Sequence, residues 1–320
     1  MIKYNSFMQP MIEEFIKYRS ASQHWNEVTH GRNLKTFENY CLKNFPNATI
    51  LTQEMIDSWC SQRKSEQNKS YRVRIEVIVN FVKYTNERNI TNLRIPEKPK
   101  SDKKTYIPHV FTEEELKKFF YACDNVEIKN KSKTEQYRKL AVPVFFKLLY
   151  STGMRTTEAR LLKRKNVDMK NNIINIEQSK GYDQHYVPIH KSLTNLLVEY
   201  DKKVEEIYPN REYFFTNRKN SFHRRDWVWK NFREMWSKYN NTYAKAYDLR
   251  HHYAITNINK WINQDINFNA NLYYLSKSMG HKTIETTKYY YSLTPGIADI
   301  FKKQINAEFE ILMPEVIEDE

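Results

Sequence analysis

The segment LLYSTGMRTTEARLLKRKNVDM, residues 148–169, organises the second half of the chain. Gly153 can end one helix, because glycine readily adopts the left-handed conformation that closes helices. Arg155 then opens the next helix, and Glu158 follows one turn later on the same side. An arginine held by a carboxylate suits a phosphate clamp, because its fork of donors pairs with two oxygens of one phosphate. In isolation, such a pair is more often an ordinary surface ion pair worth ~0.3 kcal/mol.

A second signal lies in NNIINIEQSKGYDQHYVPI, residues 171–189, within a region that is otherwise helical in pattern. Ile174 and Ile176 alternate with polar residues, a polar turn follows, and Tyr186 resumes the strand-type pattern, which predicts a β-hairpin. Lys180 lies at the tip of this hairpin. A lysine there could protonate a leaving oxygen if neighbouring cations lower its pKa. Taken alone, it is an ordinary exposed turn residue.

Two further polar clusters follow along the chain. AYDLRHHYAITN, residues 246–257, places Arg250 on a predicted helix, and LSKSMGHKTIETTKYYYSL, residues 275–293, places His281 directly after a glycine and Tyr290 nine residues later. Each cluster alone has an ordinary structural explanation, since an arginine can cap a core carboxylate and tyrosines often serve packing.

Together the four segments resemble the catalytic domain of the tyrosine recombinases, also called the phage integrase family. TGxR followed three residues later by Glu, the hairpin SKxG and VP, DLRHxxA and GHxxxxTTxxY occur in the family's order along most of residues 112–295. The resemblance implies a mainly α fold, with a helical N-terminal core-binding domain and a mostly helical catalytic domain that contains a small β-hairpin or sheet. Its implied function is site-specific DNA recombination of the integrase or transposase type.

The resemblance also implies a role for each matching residue. Arg155 and Arg250 would hold the non-bridging oxygens of the scissile phosphate, and His281 would add a hydrogen bond. Tyr290 would attack, leaving a 3′-phosphotyrosyl link and a free 5′-hydroxyl, while Lys180 would act as general acid. The reaction conserves the energy of the phosphodiester bond, so no metal, ATP or other cofactor is expected. The tyrosines on either side of the nucleophile would point about 100° away on a helix.

One position departs from the family pattern. Tyr247 lies three residues before Arg250, where the family usually has histidine. A phenol does not readily accept a proton near neutral pH, whereas imidazole does. We therefore expect slower or differently assisted cleavage, with Tyr247 donating a hydrogen bond to the phosphate. Glu158 is expected to support the site by orienting its neighbours.

The segment RIPEKPKSDKKTYIPHVF, residues 94–111, has three prolines, five basic residues and no periodicity, which predicts an extended linker. We divide the chain into a helical, SAM-like core-binding domain (1–95), a basic linker (96–111) and a catalytic domain with a C-terminal tail (112–320). Thr112 and Glu115 have the spacing of a capping box, which predicts that the catalytic domain opens with a helix.

Basic residues outside the four clusters are candidate DNA contacts. In the first domain, Tyr71, Ile75, Ile78 and Val82 form one apolar helical stripe. Other faces of the region carry cations that could touch phosphate, although a solvated face is the commoner explanation. The candidate contacts are Lys64, Lys69, Arg72 and Arg74, together with Lys282 beside the histidine of the last cluster.

Composition narrows the class of protein. The formal net charge of +14 favours a polyanionic partner such as nucleic acid, although biased base composition of the gene explains a lysine-rich chain equally well. No apolar run approaches the roughly 20 residues of a membrane span, so we expect a cytoplasmic protein without a membrane partner. The three cysteines and nine histidines lack zinc-site spacing, and no metal site is expected. The five glycines form no nucleotide-binding motif.

The expected partner is double-stranded DNA with a specific core site, bound by a homotetramer on two DNA sites. The last part of the chain carries an apolar stripe and an acidic tail, which could couple protomers or pack on their own domain. Two alternatives stay open: a non-catalytic DNA-binding relative, for which Tyr247 is the only support, and a type IB topoisomerase-like enzyme that relaxes DNA. The sequence does not distinguish integration, transposition and chromosome dimer resolution. The stripe consists of Ile297, Ile300, Phe301 and Ile305.

Overall fold

The computed structural model describes residues 2–22, 24–100, 108–177, 184–262 and 268–281, with the single positions 283, 287 and 290. The chain divides into two compact units, Met1–Tyr106 and Ile107–Glu320. Within the described residues, helices dominate and one small antiparallel sheet is present, which confirms the predicted mainly α fold. The hairpin tip with Lys180, Lys282, and the apolar stripe and acidic tail after residue 290 lie outside the described residues.

The first unit is a helical bundle around one apolar core. In its longest helix, Ile75, Ile78 and Val82 are fully buried, as the predicted stripe requires. Burying each such side chain contributes roughly 1.5–3 kcal/mol. The helices are α1 (Gln9–Ala21), α2 (Arg32–Asn44), α3 (Gln53–Cys60) and α4 (Asn68–Glu87), and a short π-helical turn, Glu27–Gly31, precedes α2.

The second unit opens with the predicted capped helix. The Thr112 side chain accepts from the Glu115 backbone N–H at 3.1 Å, and the Glu115 carboxylate accepts from the Thr112 N–H at 3.0 Å, so the capping box is confirmed. Each bond satisfies a backbone donor that the first helical turn leaves without a partner. The helices are α5 (Glu113–Asp124), α6 (Lys133–Thr152), α7 (Thr156–Leu161), α8 (Lys191–Ile207), α9 (Arg225–Ser237), α10 (Asp248–Ile262) and α11 (Phe268–Ser278), with a 3-10 turn at Arg164–Asn166.

The sheet has three antiparallel strands in the order β1 (Val167–Asp168), β2 (Ile173–Ile176) and β3 (His185–Pro188). The predicted hairpin is confirmed as β2 and β3, with Ile174 opposite Val187. Ile174, Ile176 and Val187 face the core of the unit and are buried. The short strand β1 extends the hairpin and was not predicted, because a two-residue strand carries no measurable alternation.

The structure also describes the cysteines, the hydropathy of the helices and the grouping of possible metal ligands. The three cysteines are free and buried, as predicted, and burial raises the pKa of the Cys41 and Cys60 thiols to about 12. None of the described helices is both long and apolar enough to cross a membrane. Among the described residues, no group of three or more histidine, cysteine, aspartate or glutamate side chains could hold a metal ion.

Candidate active site

The turn between α6 and α7 positions the first arginine of the site. Gly153 ends α6 with φ +62°, a left-handed conformation that side chains rarely tolerate. Arg155 lies at the start of α7, and its guanidinium Nη1 donates to Glu158 Oε1 at 2.6 Å. The second oxygen of the same carboxylate accepts from the Arg155 backbone N–H at 2.7 Å. Because the Glu158 side chain is fully buried, this carboxylate fixes both the backbone and the guanidinium of Arg155.

Arg250 comes from the first turn of α10 and is only 2% exposed. Its Nη1 donates to the carbonyl of Gly153 at 2.8 Å, and its Nη2 donates to the carbonyl of Met279 at 2.8 Å. Burial lowers the pKa of Arg250, as does the nearby charge of Arg155. The buried Nε atom of Arg250 has no hydrogen-bond partner among the described residues.

The turn after α11 accepts hydrogen bonds from both arginines. Gly280 has φ +65° and lets the chain reverse there. The carbonyl of Gly280 accepts from Arg155 Nη2 at 2.7 Å, while the preceding carbonyl, that of Met279, accepts from Arg250. Neighbouring backbone carbonyls therefore bring together Arg155 and Arg250, which are 95 positions apart in the sequence.

His281 follows this turn and contacts Arg250 directly. Arg250 Nη2 lies 2.8 Å from His281 Nε2, and an arginine can only donate, so Nε2 is the acceptor. Burial, followed by the charges of Arg250 and Arg155, lowers the pKa of His281 to about 3, which keeps the ring neutral. The proton of the neutral ring is then on Nδ1, which donates to Thr287 Oγ1 at 2.7 Å.

Tyr290 lies against the same cluster and is 3% exposed. Its ring is stacked on that of His281, with centroids 6.2 Å apart and planes at 19°. On another side it contacts the ring of His251, at 5.6 Å between centroids. Its charge state also influences the pKa of Arg250, which places it within electrostatic range of that guanidinium. The structure thus brings together Arg155, Glu158, Arg250, His281 and Tyr290.

Tyr247 lies at the solvent-exposed edge of this cluster. It is 41% exposed, and its ring packs edge-on against His251 with centroids 5.2 Å apart. His251 therefore lies between the rings of Tyr247 and Tyr290. Tyr247 also lines a groove of about 370 Å³, together with residues of α7 and α9.

The groove along α9 is strongly basic. Its lining includes Arg160, Arg225, Arg233 and Lys245, and the three arginines form no salt bridge within the part of the chain that the structure describes. The Arg233 guanidinium lies 5.2 Å from the centroid of the Tyr243 ring, and Lys245 approaches the same ring at 5.6 Å. Such contacts hold cations at a surface without neutralising them.

The candidate DNA contacts of the first unit fall into two groups. Lys64 and Lys69 are exposed. Arg72 is partly buried and donates to the carbonyl of Pro99. Arg74 is buried, and its guanidinium pairs with Glu66 at 2.7 Å, with further bonds to backbone carbonyls. Because these partners occupy its donors inside the unit, we no longer include Arg74 among the candidate DNA contacts.

Three residues near the arginines were not assigned a role from sequence. Thr287 accepts a hydrogen bond from His281, the His251 ring contacts two tyrosine rings, and the His185 ring packs on Gly280. A Cβ added at Gly280 would lie 2.5 Å from the His185 ring, so the close contact requires glycine. Thr287 lies in the quoted motif GHxxxxTTxxY and His251 lies in DLRHxxA, so motif membership pointed to both positions. The contacts of His251 and His185 depend on tertiary packing that no local spacing reveals.

Comparison with known proteins finds similarity to integrases and recombinases. The family model described as the phage integrase family matches residues 109–296, which is more than half of the chain. An integrase/recombinase of Sinorhizobium fredii, y4rE, is 26% identical over 188 residues, covering 57% of this chain and 59% of that relative. The tyrosine recombinase XerA of Pyrococcus horikoshii is 23% identical over 291 residues, covering 89% of each protein.

Among solved structures, the Tn1549 transposon integrase in complex with transposon right end DNA has a similar fold. The TM-score is 0.58 at 14% sequence identity, and the match covers 92% of this chain and 99% of that one.

Proposed function

This chain belongs to the phage integrase family, and we propose that it is a site-specific DNA recombinase that cuts and rejoins DNA through a covalent bond to Tyr290. The observation that carries the proposal is the convergence of two buried arginines, a histidine and a tyrosine, from three separate segments of the chain, on one site. Binding alone requires basic residues but not a tyrosine packed among them.

A phosphate is the ligand that this cluster fits best. Arg155 and Arg250 are both largely buried, and like charges in a poorly solvated site favour an anion between them. The donor Nε of Arg250 is left over after its other contacts, and a phosphate oxygen is a suitable acceptor. These guanidiniums would stabilise the extra charge that develops on the phosphate in the transition state.

In the proposed reaction, the Tyr290 oxygen forms a bond to phosphorus while the bond to the 5′ oxygen breaks. The product is a 3′-phosphotyrosyl link, and Lys180 from the hairpin protonates the departing 5′ oxygen to give a free 5′-hydroxyl. When phosphate binds, the Arg250 N–H that now donates to His281 would donate to a phosphate oxygen instead. Its negative charge would also raise the pKa of His281, so that the imidazole can donate to it. Because the link stores the bond energy, religation needs neither metal nor ATP.

We propose that the basic groove along α9 holds part of the DNA backbone. It begins at Tyr247, beside the proposed phosphate site, and its three arginines form no salt bridge among the described residues. Lysine and arginine side chains that contact phosphate release condensed counterions, which makes DNA binding depend on salt. Lys64 and Lys69 of the first unit, and Lys282, are further proposed contacts to the duplex.

Replacing Arg233 with glutamine is expected to weaken DNA binding and to reduce its salt dependence. One lost phosphate contact lowers the slope of log K against log salt by about 0.9. The slope can be measured by fluorescence anisotropy with a labelled duplex between low and moderate salt. As a control, Arg164→Gln should leave the slope unchanged, because Asp201 and Glu205 already neutralise Arg164. An unchanged slope for Arg233→Gln would exclude that residue from the DNA contact.

The proposed assembly is a homotetramer that joins two copies of a core site, acting in the cytoplasm. The apolar stripe and the acidic tail near the end of the sequence suit a contact between protomers. The two-domain organisation predicted from sequence supports this arrangement, with a core-binding first domain and a catalytic second domain. Target sequence and biological role, whether integration, transposition or dimer resolution, are open within this proposal.

A two-site assay tests the proposed function. A duplex is first selected from random sequence by repeated binding, and two copies are then placed on one plasmid. We expect deletion or inversion of the segment between the copies, detected by restriction mapping, without added metal or nucleotide. Relaxation of a supercoiled plasmid that lacks the site would favour the topoisomerase alternative. Tight binding with no strand cleavage would favour a non-catalytic relative.

A further inference from the structure

The proposed reaction requires a group that accepts the proton of the Tyr290 hydroxyl. The family position for such a histidine is occupied here by Tyr247, whose phenol does not readily take up a proton near neutral pH. His281 is also poorly suited. Its Nε2 accepts from Arg250, its Nδ1 donates to Thr287, and its pKa is lowered to about 3.

Among the described residues, His251 is a second imidazole whose ring contacts the nucleophile. It lies in the first turn of α10, four residues after Tyr247, which immediately precedes the helix. Its ring contacts Tyr247 at 5.2 Å and Tyr290 at 5.6 Å between centroids. The planes of the His251 and Tyr290 rings meet at 57°, a tilted contact.

The charges around His251 suit a proton acceptor. Burial lowers its pKa, which keeps the ring neutral and able to accept, and Arg250 acts in the same direction. Asp248 opposes both effects and would stabilise the imidazolium once the proton has moved. The described groups that face the ring include Asp248, Arg250, Tyr247 and Tyr290.

We propose that His251 is the general base of the reaction and replaces the histidine that Tyr247 has displaced. The inference rests on the proposed function. The proton of the Tyr290 hydroxyl moves to a ring nitrogen of His251 as the oxygen–phosphorus bond forms. The bond from phosphorus to the 5′ oxygen breaks, and that oxygen takes its proton from Lys180. In religation each proton returns, and His251 becomes neutral again.

His251→Phe tests the role, because phenylalanine keeps an aromatic ring between the two tyrosines but cannot accept a proton. The rate of covalent attachment is measured in single turnover at saturating DNA, with a nicked duplex that traps the adduct. General-base catalysis is worth on the order of 10²-fold or more, and we expect a loss of that size with DNA affinity unchanged. A His251→Phe rate within threefold of the wild type would overturn the proposal.

The adjacent histidine supplies a matched control. His252 is also on α10, but its ring is stacked on Tyr150 at 5.6 Å and contacts Phe111, away from Tyr290. His252→Phe should therefore react within about twofold of the wild-type rate. An equal loss in both variants would assign the effect to packing of α10 and would contradict the proposal.

Rescue and pH dependence separate a base from a packing residue. Adding Tyr247→His to His251→Phe restores an imidazole at the family position, and we expect the rate to recover at least tenfold. The wild-type rate should fall at acidic pH, below the ordinary histidine pKa of about 6.5, as His251 becomes protonated. This decline should be absent in His251→Phe. The proposal would be overturned by a double variant as slow as His251→Phe, or by a His251→Phe variant that keeps the acidic decline. A wild-type protein that forms no adduct would instead contradict the proposed function itself.

Discussion

Replacing Arg250 with lysine is expected to slow covalent attachment of DNA by on the order of 10³-fold, even though the charge is retained. The guanidinium donates to the carbonyls of Gly153 and Met279 and to His281, and its buried Nε, which has no partner among the described residues, can donate to a ligand. A lysine ammonium is a single point donor with three protons, so it cannot hold these carbonyls and a phosphate together. The substitution therefore slows the reaction both by misaligning the phosphate and by stabilising its developing charge less well.

The rate constant is measured in single turnover at saturating DNA, alongside thermal unfolding of each variant. Arg211→Lys is the matched control, because Arg211 is another buried arginine of the same unit whose partners are Asp201 and Glu205. It should lower the unfolding temperature but leave the rate constant of the folded protein within about twofold. The assignment of Arg250 to the phosphate would fail if Arg250→Lys reacted within tenfold of the wild-type rate.

Replacing Tyr290 with phenylalanine is expected to abolish the covalent adduct completely. The ring would remain in its apolar cluster with Ala254, Leu275 and Met279, so neither folding nor DNA affinity should change greatly. Only the oxygen that attacks phosphorus is removed, and no other oxygen takes its place in the proposed mechanism. The adduct is detected as a protein–DNA band that survives denaturing electrophoresis.

The neighbouring tyrosines provide the controls. Tyr289→Phe and Tyr291→Phe remove the same atom one position away in the sequence, and both should retain adduct formation. An adduct that persists in Tyr290→Phe and disappears in one of these variants would move the nucleophile to that neighbour. Persistence in all three would exclude the tyrosine cluster.

Local signals in the sequence were sufficient for much of the fold. The capping box at Thr112 and Glu115 predicted where α5 begins, and the alternation around Ile174 predicted the hairpin, because both patterns depend on residues a few positions apart. The pairing of Arg155 with Glu158 follows from the same short spacing. Motif order then identified Arg250, His281 and Tyr290 as candidates.

The contacts that assemble the site were beyond such reasoning. The carbonyls of Met279 and Gly280 hold two arginines from distant segments, and a backbone acceptor leaves no trace in residue type. His251 shows the same limit, because only the structure places its ring between Tyr247 and Tyr290. Arg74 resembled an exposed cation in the sequence but is paired internally with Glu66, since burial depends on how α4 packs rather than on composition.

The most direct test of the proposed mechanism is to identify the residue of the protein to which DNA becomes covalently linked. A nicked duplex traps the wild-type adduct, the protein is digested with a protease, and the DNA-linked peptide is sequenced by mass spectrometry. The proposed mechanism predicts that the peptide carries a 3′-phosphate of DNA on Tyr290 and that the released strand has a free 5′-hydroxyl. Attachment at any other residue, or through a 5′-phosphate, would contradict it.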